Sequence, residues 1–250
     1  MFEHPIRLFF LSLLGLWFSA RIGASVHRWR SLKEEQRDEF NVIRAATLTL
    51  LSLIIGFSFS LAINRYEQRK NYEEGEANAI GTEYVRAGLL PAADGSSVRG
   101  LLRNYLDLRI LFYRTRDEDD LRKIAADTGQ RQTEMWSAVE VSGMAHASPV
   151  VALAVSGMND VMNSQGCTQA SYWNRIPYAA WSLMISIAIC CHLLLGYGSR
   201  DGAKTGLLFV MPLVVSIAFL LIADIDSPRR GFINVVPQNL ISLSQSLPRQ

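Results

Sequence analysis

Apolar residues along this chain gather in four blocks, 8–20, 45–64, 177–198 and 205–223, and charged or mixed sequence fills the intervals. The second block sets the organisation. Residues 45–64 carry no charge, and about twenty such residues cross a bilayer as a helix. The sequence then turns polar without a break, as RYEQRKNYEEGEANAIGT over 65–82, and no proline follows until Pro91. Glu, Ala, Arg and Lys are good helix formers, so the pattern predicts one long helix, apolar in its first half and polar in its second.

The other blocks predict three shorter spans. Block 8–20, LFFLSLLGLWFSA, lies between Arg7 and Arg21 and is short for a bilayer. If Arg21 snorkels, the helix extends over 6–26. A signal peptide is the rival reading, but little positive charge precedes the block and no A-x-A site follows it; a re-entrant or interfacial helix is the other alternative. The link 27–44 sets Arg28, Arg30, Lys33 and Arg37 against Glu34, Glu35, Asp38 and Glu39, which suits a short exposed helix. Block 177–198 opens on Pro177, a residue at home in a first helical turn. Tyr172, Trp173, Tyr178 and Trp181 read as an interfacial aromatic belt at that end. His192 is the ionisable side chain well inside this block, and its place near the far end reads as interfacial. The short link 198–204 predicts an antiparallel hairpin with block 205–223, where Pro212 is a candidate kink.

Between the second and third blocks the polar stretch is too long for an ordinary loop and therefore folds. Helices are predicted over 66–89, 98–114, 119–145 and 149–163, with breaks at 91–97, 117–120, 148–149 and 164–166. Asp94-Gly95-Ser96-Ser97 reads as a turn and cap. Leu101, Leu102, Tyr105, Leu108, Ile110 and Phe112 form an apolar face for bundle packing. The run Asp117-Glu118-Asp119-Asp120 lacks the alternating loop of an EF-hand and reads as a charge-favourable helix start. On the long helix Glu76, Glu83 and Arg86 stand out, and Glu83 and Arg86, three apart, read as an ion pair, exposed or between helices. The whole is an all-α membrane protein. Transmembrane helices 1 and 2 lie in 1–64, a helical extramembrane domain continuing from the second helix in 65–176, a transmembrane hairpin in 177–223 and a C-terminal tail in 224–250.

Composition narrows the function. The chain has 250 residues, a formal charge of +2, and no basic run with interleaved aromatics, which argues against nucleic acid. Cys167, Cys190 and Cys191 make no CxxC pair, and His4, His27, His146 and His192 are scattered, so no metal or disulfide framework is expected. No GxSxG, P-loop or dinucleotide fingerprint occurs. Neither an enzyme nor a cofactor is predicted.

Two rows can be drawn on the second span. Ser52, Gly56, Ser60 and Asn64 recur every fourth residue, a small-residue row that lets another helix approach closely. About 100° round lie Thr49, Leu53, Phe57 and Leu61. One reading packs the small row on a neighbour and turns the apolar row to lipid. The other places one of the rows on a pore axis in an oligomer.

Gly56-Phe57, Ala62, Arg65-Tyr66 and Arg69-Lys70 resemble the second membrane helix of bestrophins, and EANAIGTEYVRAGLLP, 76–91, resembles the signature of the bestrophin-like membrane family. After the last span, Asp224-Ile225-Asp226-Ser227-Pro228-Arg229-Arg230-Gly231 is similar to that family's D-x-D-x-P-x-R-G motif. Bestrophins are pentameric anion channels with a hydrophobic neck on the second helix. The resemblance therefore implies a homo-oligomer in the lipid bilayer, a pentamer by analogy, that passes anions. It implies Phe57, with Leu53 and Thr49 by helical spacing, on the pore. It also implies a bacterial inner (plasma) membrane location with the large helical domain and tail cytoplasmic.

Two functions follow. The first is an anion channel with a dewetting constriction at Phe57 and Leu53 and an inner vestibule made positive by Arg65, Arg69 and Lys70, although Glu67, Glu73 and Glu74 dilute that field. The second is a non-conducting membrane scaffold or sensor that binds a protein partner through its helical domain.

Overall fold

The computed structural model describes residues 4–29, 34–199 and 207–248. Arg30 and Lys33 of the first link, and residues 200–206 with the hairpin turn and the expected start of the fourth span at Thr205, lie outside the described residues. Among the described residues the secondary structure is eight α-helices and short 3-10 turns: α1 (Pro5–Trp29), α2 (Arg37–Arg86), α3 (Ala92–Arg114), α4 (Glu118–Ala145), α5 (Pro149–Trp173), α6 (Tyr178–Tyr197), α7 (Leu207–Asp226) and α8 (Gln238–Ser246). The chain divides into two compact units. The first comprises 1–66 and 175–234, the second 67–174 and 235–250.

The long helix is continuous for 50 residues. It begins at Arg37, eight residues before the apolar block, so the link was expected to be longer than it is. Asp38 and Glu39 in its first turn favour that start through the helix dipole. Four helical stretches are long and apolar enough to cross a membrane: α1, a segment including α2, a segment including α6, and α7.

In the first unit α1 packs on α6 and α7. The contact with α6 is backbone against backbone. A Cβ at Gly23 would meet Leu193 O and, at 2.9 Å, Tyr197 N; one at Gly196 would meet Ala20 O and, at 2.9 Å, Ala24 N. Ser19, Ala20, Gly23 and Ala24 form the buried stripe of α1. Leu8 and Leu16 join Leu51 and Ala62 of α2, Trp181, Met184 and Ala188 of α6, and Val215, Phe219 and Ile222 of α7 in the core. Trp181 stands edge-on to Phe219 with ring centroids 6.1 Å apart. Trp181 is thus core, as is Tyr172 in the second unit, whereas Trp173 and Tyr178 are exposed. The expected aromatic belt is halved, because two of its rings fill apolar interiors.

In the second unit α3, α4 and α5 pack in sequence and α8 lies on α3. The predicted turn at 94–97 is helical: α3 starts at Ala92, and Gly95 sits against the Ala87 carbonyl, where a Cβ would collide. The predicted break at 164–166 is also helical, and α5 continues to Trp173 because Val161, Thr168, Ser171 and Tyr172 keep one stripe buried. Packing outweighs the helix cost of Gly166, about 1 kcal/mol. The acidic run does start α4. Asp117 caps it, accepting from Asp119 N at 2.9 Å and Asp120 N at 3.1 Å, while Asp119 and Asp120 pair with Arg122 and Lys123. Ser148 caps α5 through Val151 N, with Pro149 in the first turn.

The buried stripe of α3 contains a charge. Leu102, Tyr105, Leu106, Arg109, Phe112 and Tyr113 face inward. Arg109 Nε donates to Glu76 Oε1, and Glu76 Oε2 accepts from Tyr113 OH at 3.3 Å and Thr168 Oγ1 at 3.1 Å. Burial works against the Arg109 charge, and Glu76 together with Tyr105 and Tyr113 more than offsets it, holding Arg109 above its usual range. Burial, then Glu76, pushes the Tyr113 phenol up, so it stays a donor. The network ties α2, α3 and α5 together with every member satisfied, the condition under which a buried polar cluster holds a fold in one arrangement.

Candidate functional site

The residues singled out on α2 sit on one helix, and their environments differ by face. Toward its own unit the span turns Leu51, Ser58 and Ala62, all buried, with Leu48, Ile54 and Ile55 partly buried beside them. These positions follow the three-and-four spacing of a single helix face. The two rows drawn from the sequence lie elsewhere. Thr49, Leu53, Phe57 and Leu61 are exposed, Phe57 at 62% and Leu53 at 52%. Ser52, Gly56, Ser60 and Asn64 are exposed as well, and a Cβ at Gly56 would meet nothing within 4 Å. Among the described residues, neither row is buried against the rest of the chain. Thr49 Oγ1 donates to Ala45 O at 3.0 Å and Ser52 Oγ to Leu48 O at 2.9 Å. Each hydroxyl is satisfied by the helix's own backbone, so neither position presents an unpaired donor.

The three expected vestibule cations have three different environments. Arg65 reaches Asp226, with Nη1 3.4 Å from Oδ1. Asp226 also accepts from Ile176 N, at 3.0 Å to Oδ2, which holds the entry to α6 against the end of α7. Arg69 is 2% exposed. Lys70 is exposed. Within a single chain, then, Lys70 is the member of the set that presents its charge to solvent, and Arg65 acts as a tether.

The carboxylates after the last span are structural. Asp224 is buried and accepts from Phe232 N at 2.7 Å and Ile233 N at 2.9 Å, folding the chain back after α7. Glu73, expected as a diluting charge, is instead buried and receives Leu240 N at 2.9 Å and Asn239 Nδ2 at 2.6 Å. It caps α8 from another helix. Of the pair Glu83 and Arg86, Arg86 turns to Asp160 at 3.7 Å, and neither oxygen of Glu83 has a hydrogen-bond partner. His192 is buried, with Nδ1 2.6 Å from Ala188 O. It lines a cavity of about 280 Å³ with Arg44, Met211 and Pro212.

Each unit is helical, the first holds apolar spans, and α2, 50 residues long, carries two exposed rows. The profile of the Bestrophin-like domain family matches residues 11–240, and the chain belongs to that family. It is an integral membrane protein. Its fold is similar to that of a bacterial bestrophin homologue from Klebsiella pneumoniae, at 15% identity with a TM-score of 0.63, covering 97% of this chain and 99% of that one. A point variant of the Klebsiella pneumoniae homologue matches at 14% identity with a TM-score of 0.64, covering 96% and 98%. Comparison with curated proteins gives no match.

Proposed function

We propose that the chain is one subunit of a homo-oligomeric anion channel in which the second helices of several copies surround a common axis. Phe57, Leu53 and Thr49 face that axis as a hydrophobic neck, and Ser52, Gly56, Ser60 and Asn64 receive the helix of the adjacent copy. The observation that carries this reading is the exposure of both rows while a third face of α2 closes the chain's own core. A lone chain would turn Asn64 and a row of small residues to lipid, where close helix packing is unused. The likeness to bacterial bestrophin homologues supports the class, and a pentamer follows by analogy. In this reading the second unit is cytoplasmic, the membrane is a bacterial inner membrane, and Lys70 carries the vestibule charge that Arg65 and Arg69 do not present.

The test is chloride flux from liposomes holding the purified full chain, with its size in detergent measured in parallel. An oligomer that conducts, and conducts faster as Phe57→Ala, supports the channel. An oligomer with no flux in either form removes it. One observation favours the second reading, a non-conducting scaffold: Arg65 is engaged by Asp226 and Arg69 is buried, which leaves little positive field for drawing anions.

A further inference from the structure

Glu83 is unlike the other acids of the second unit. Glu76 and Glu73 are as deeply buried, but each receives several donors. The side chain of Glu83 is fully buried on the face of α2 that meets Gly157 of α5, and neither of its oxygens has a hydrogen-bond partner. The missing side chain at Gly157 makes the space: a Cβ there would collide with Glu83 Oε2 and would lie 2.7 Å from Arg86 Nη1.

The charged groups around it are few. On α2 the neighbour is Arg86, one turn on, whose Nη1 lies 3.7 Å from Asp160 Oδ2. On α5 it is Asp160, whose side chain is mostly exposed. From α3, Arg99 is engaged elsewhere: its Nε donates to Tyr84 O at 3.0 Å and its guanidinium stacks on the Tyr84 ring. One guanidinium therefore serves two carboxylates, one dry and one wet. An ionised carboxylate with no donor in a dry site is costly, and such a group keeps its proton instead.

We propose that Glu83 is a proton-binding switch at the seam of α2 and α5, holding a proton at neutral pH and, on losing it, drawing the Arg86 guanidinium away from Asp160. The step transfers one proton from the carboxylic acid to solvent and leaves a Glu83–Arg86 ion pair in place of Arg86–Asp160. Burial, opposed by Arg86 and reinforced by Asp160, pushes the Glu83 carboxyl up to about 8. The inference concerns the second unit alone and stands whether or not the protein conducts.

The experiment is an infrared pH titration of the full chain in detergent, following the carbonyl stretch of a protonated carboxylic acid. The wild type is expected to lose such a band with a midpoint near 8, and Glu83→Gln to lack that transition. Asp160→Asn removes the competing anion and moves the midpoint down by about one pH unit, a tenfold loss of proton affinity; Arg86→Gln moves it up by a similar amount. Asp160 is exposed, so the Asp160→Asn arm decides the matter even if Glu83→Gln does not fold. A wild-type band that bleaches in the ordinary carboxylate range, a titration unchanged in Glu83→Gln, or a midpoint unmoved by Asp160→Asn overturns the proposal.

Discussion

Gly23 and Gly196 oppose one another where α1 crosses α6, each occupying a position at which a Cβ would strike the backbone of the other helix. The obstructing atoms are main-chain carbonyl oxygens and amide nitrogens, which do not move aside as a flexible side chain would. Gly196→Leu should therefore separate the helices and lower the thermal midpoint of the detergent-solubilised protein, by the equivalent of about 3 kcal/mol or more. Gly23→Ala should cost less but in the same direction. A midpoint unchanged in Gly196→Leu would show that the crossing is looser than described.

The Glu76–Arg109 pair predicts an asymmetry. Both side chains are buried, so Arg109→Met alone leaves an uncompensated carboxylate and should cost about 3–5 kcal/mol. Combining it with Glu76→Gln removes the charge together with its partner and should recover much of that loss. Denaturant unfolding of the single and double variants reads the difference, and equal losses in both would mean that packing rather than charge sets the cost.

These two cases mark what could be read from the residues alone. The long helix was legible because charges begin at Arg65 while helix formers continue, and no proline or glycine pair interrupts them. Arg109 was not, since a charge within an apolar stripe reads as an interruption and its partner lies 33 positions away. The close crossing at Gly23 has only a short local signal, Ser19-x-x-x-Gly23, against the longer small-residue row at 52–64. Asp224 and Asp226 run against helix-dipole preference at the end of α7, and backbone amides folded onto them from distant positions offset that cost. The two exposed rows of α2 show the opposite limit. Spacing defines the rows on α2, but which row meets an axis depends on partners outside the chain.

Arg65 and Asp226 should be energetically coupled. Both are largely buried and 3.4 Å apart, and Asp226 also carries the Ile176 amide. In a double-mutant cycle of Arg65→Ala and Asp226→Asn, unfolding free energies should be non-additive by about 0.5–3 kcal/mol. Asp226→Asn should be the more harmful single change, since it also weakens the acceptor for Ile176 N. Additive values would assign Arg65 to solvent instead.

Glu83 gives the second unit a pH dependence of predictable sign. Its pKa is raised from 4.5 to about 8 in the folded state, so between those values the folded chain binds a proton that the unfolded chain has released. Stability is full below the lower value and falls as pH rises through the window, by up to about 1.4 kcal/mol per pH unit, then levels above the upper value. Glu83→Gln removes the titration. Its stability relative to wild type should rise with pH across that window, and parallel stability–pH curves for the two proteins would contradict the assignment.

Gly56 separates assembly from folding. Among the described residues no atom outside its own turn of helix lies within 4 Å of a Cβ placed there, and the neighbouring Ser52, Ser60 and Asn64 are exposed, so Gly56→Leu meets no internal clash. Leucine is also the better helix former by up to about 1 kcal/mol. The subunit should fold with an unchanged or slightly higher thermal midpoint. If the small row is the seat of a neighbouring second helix, the added side chain holds the two backbones apart, and light scattering in detergent should report a smaller assembly than wild type. Leu53→Ala, on the row proposed for the axis, should leave assembly size intact and alter flux alone. Loss of the oligomer from Leu53→Ala with retention in Gly56→Leu would exchange the two faces, placing the apolar row between subunits and the small row along the axis.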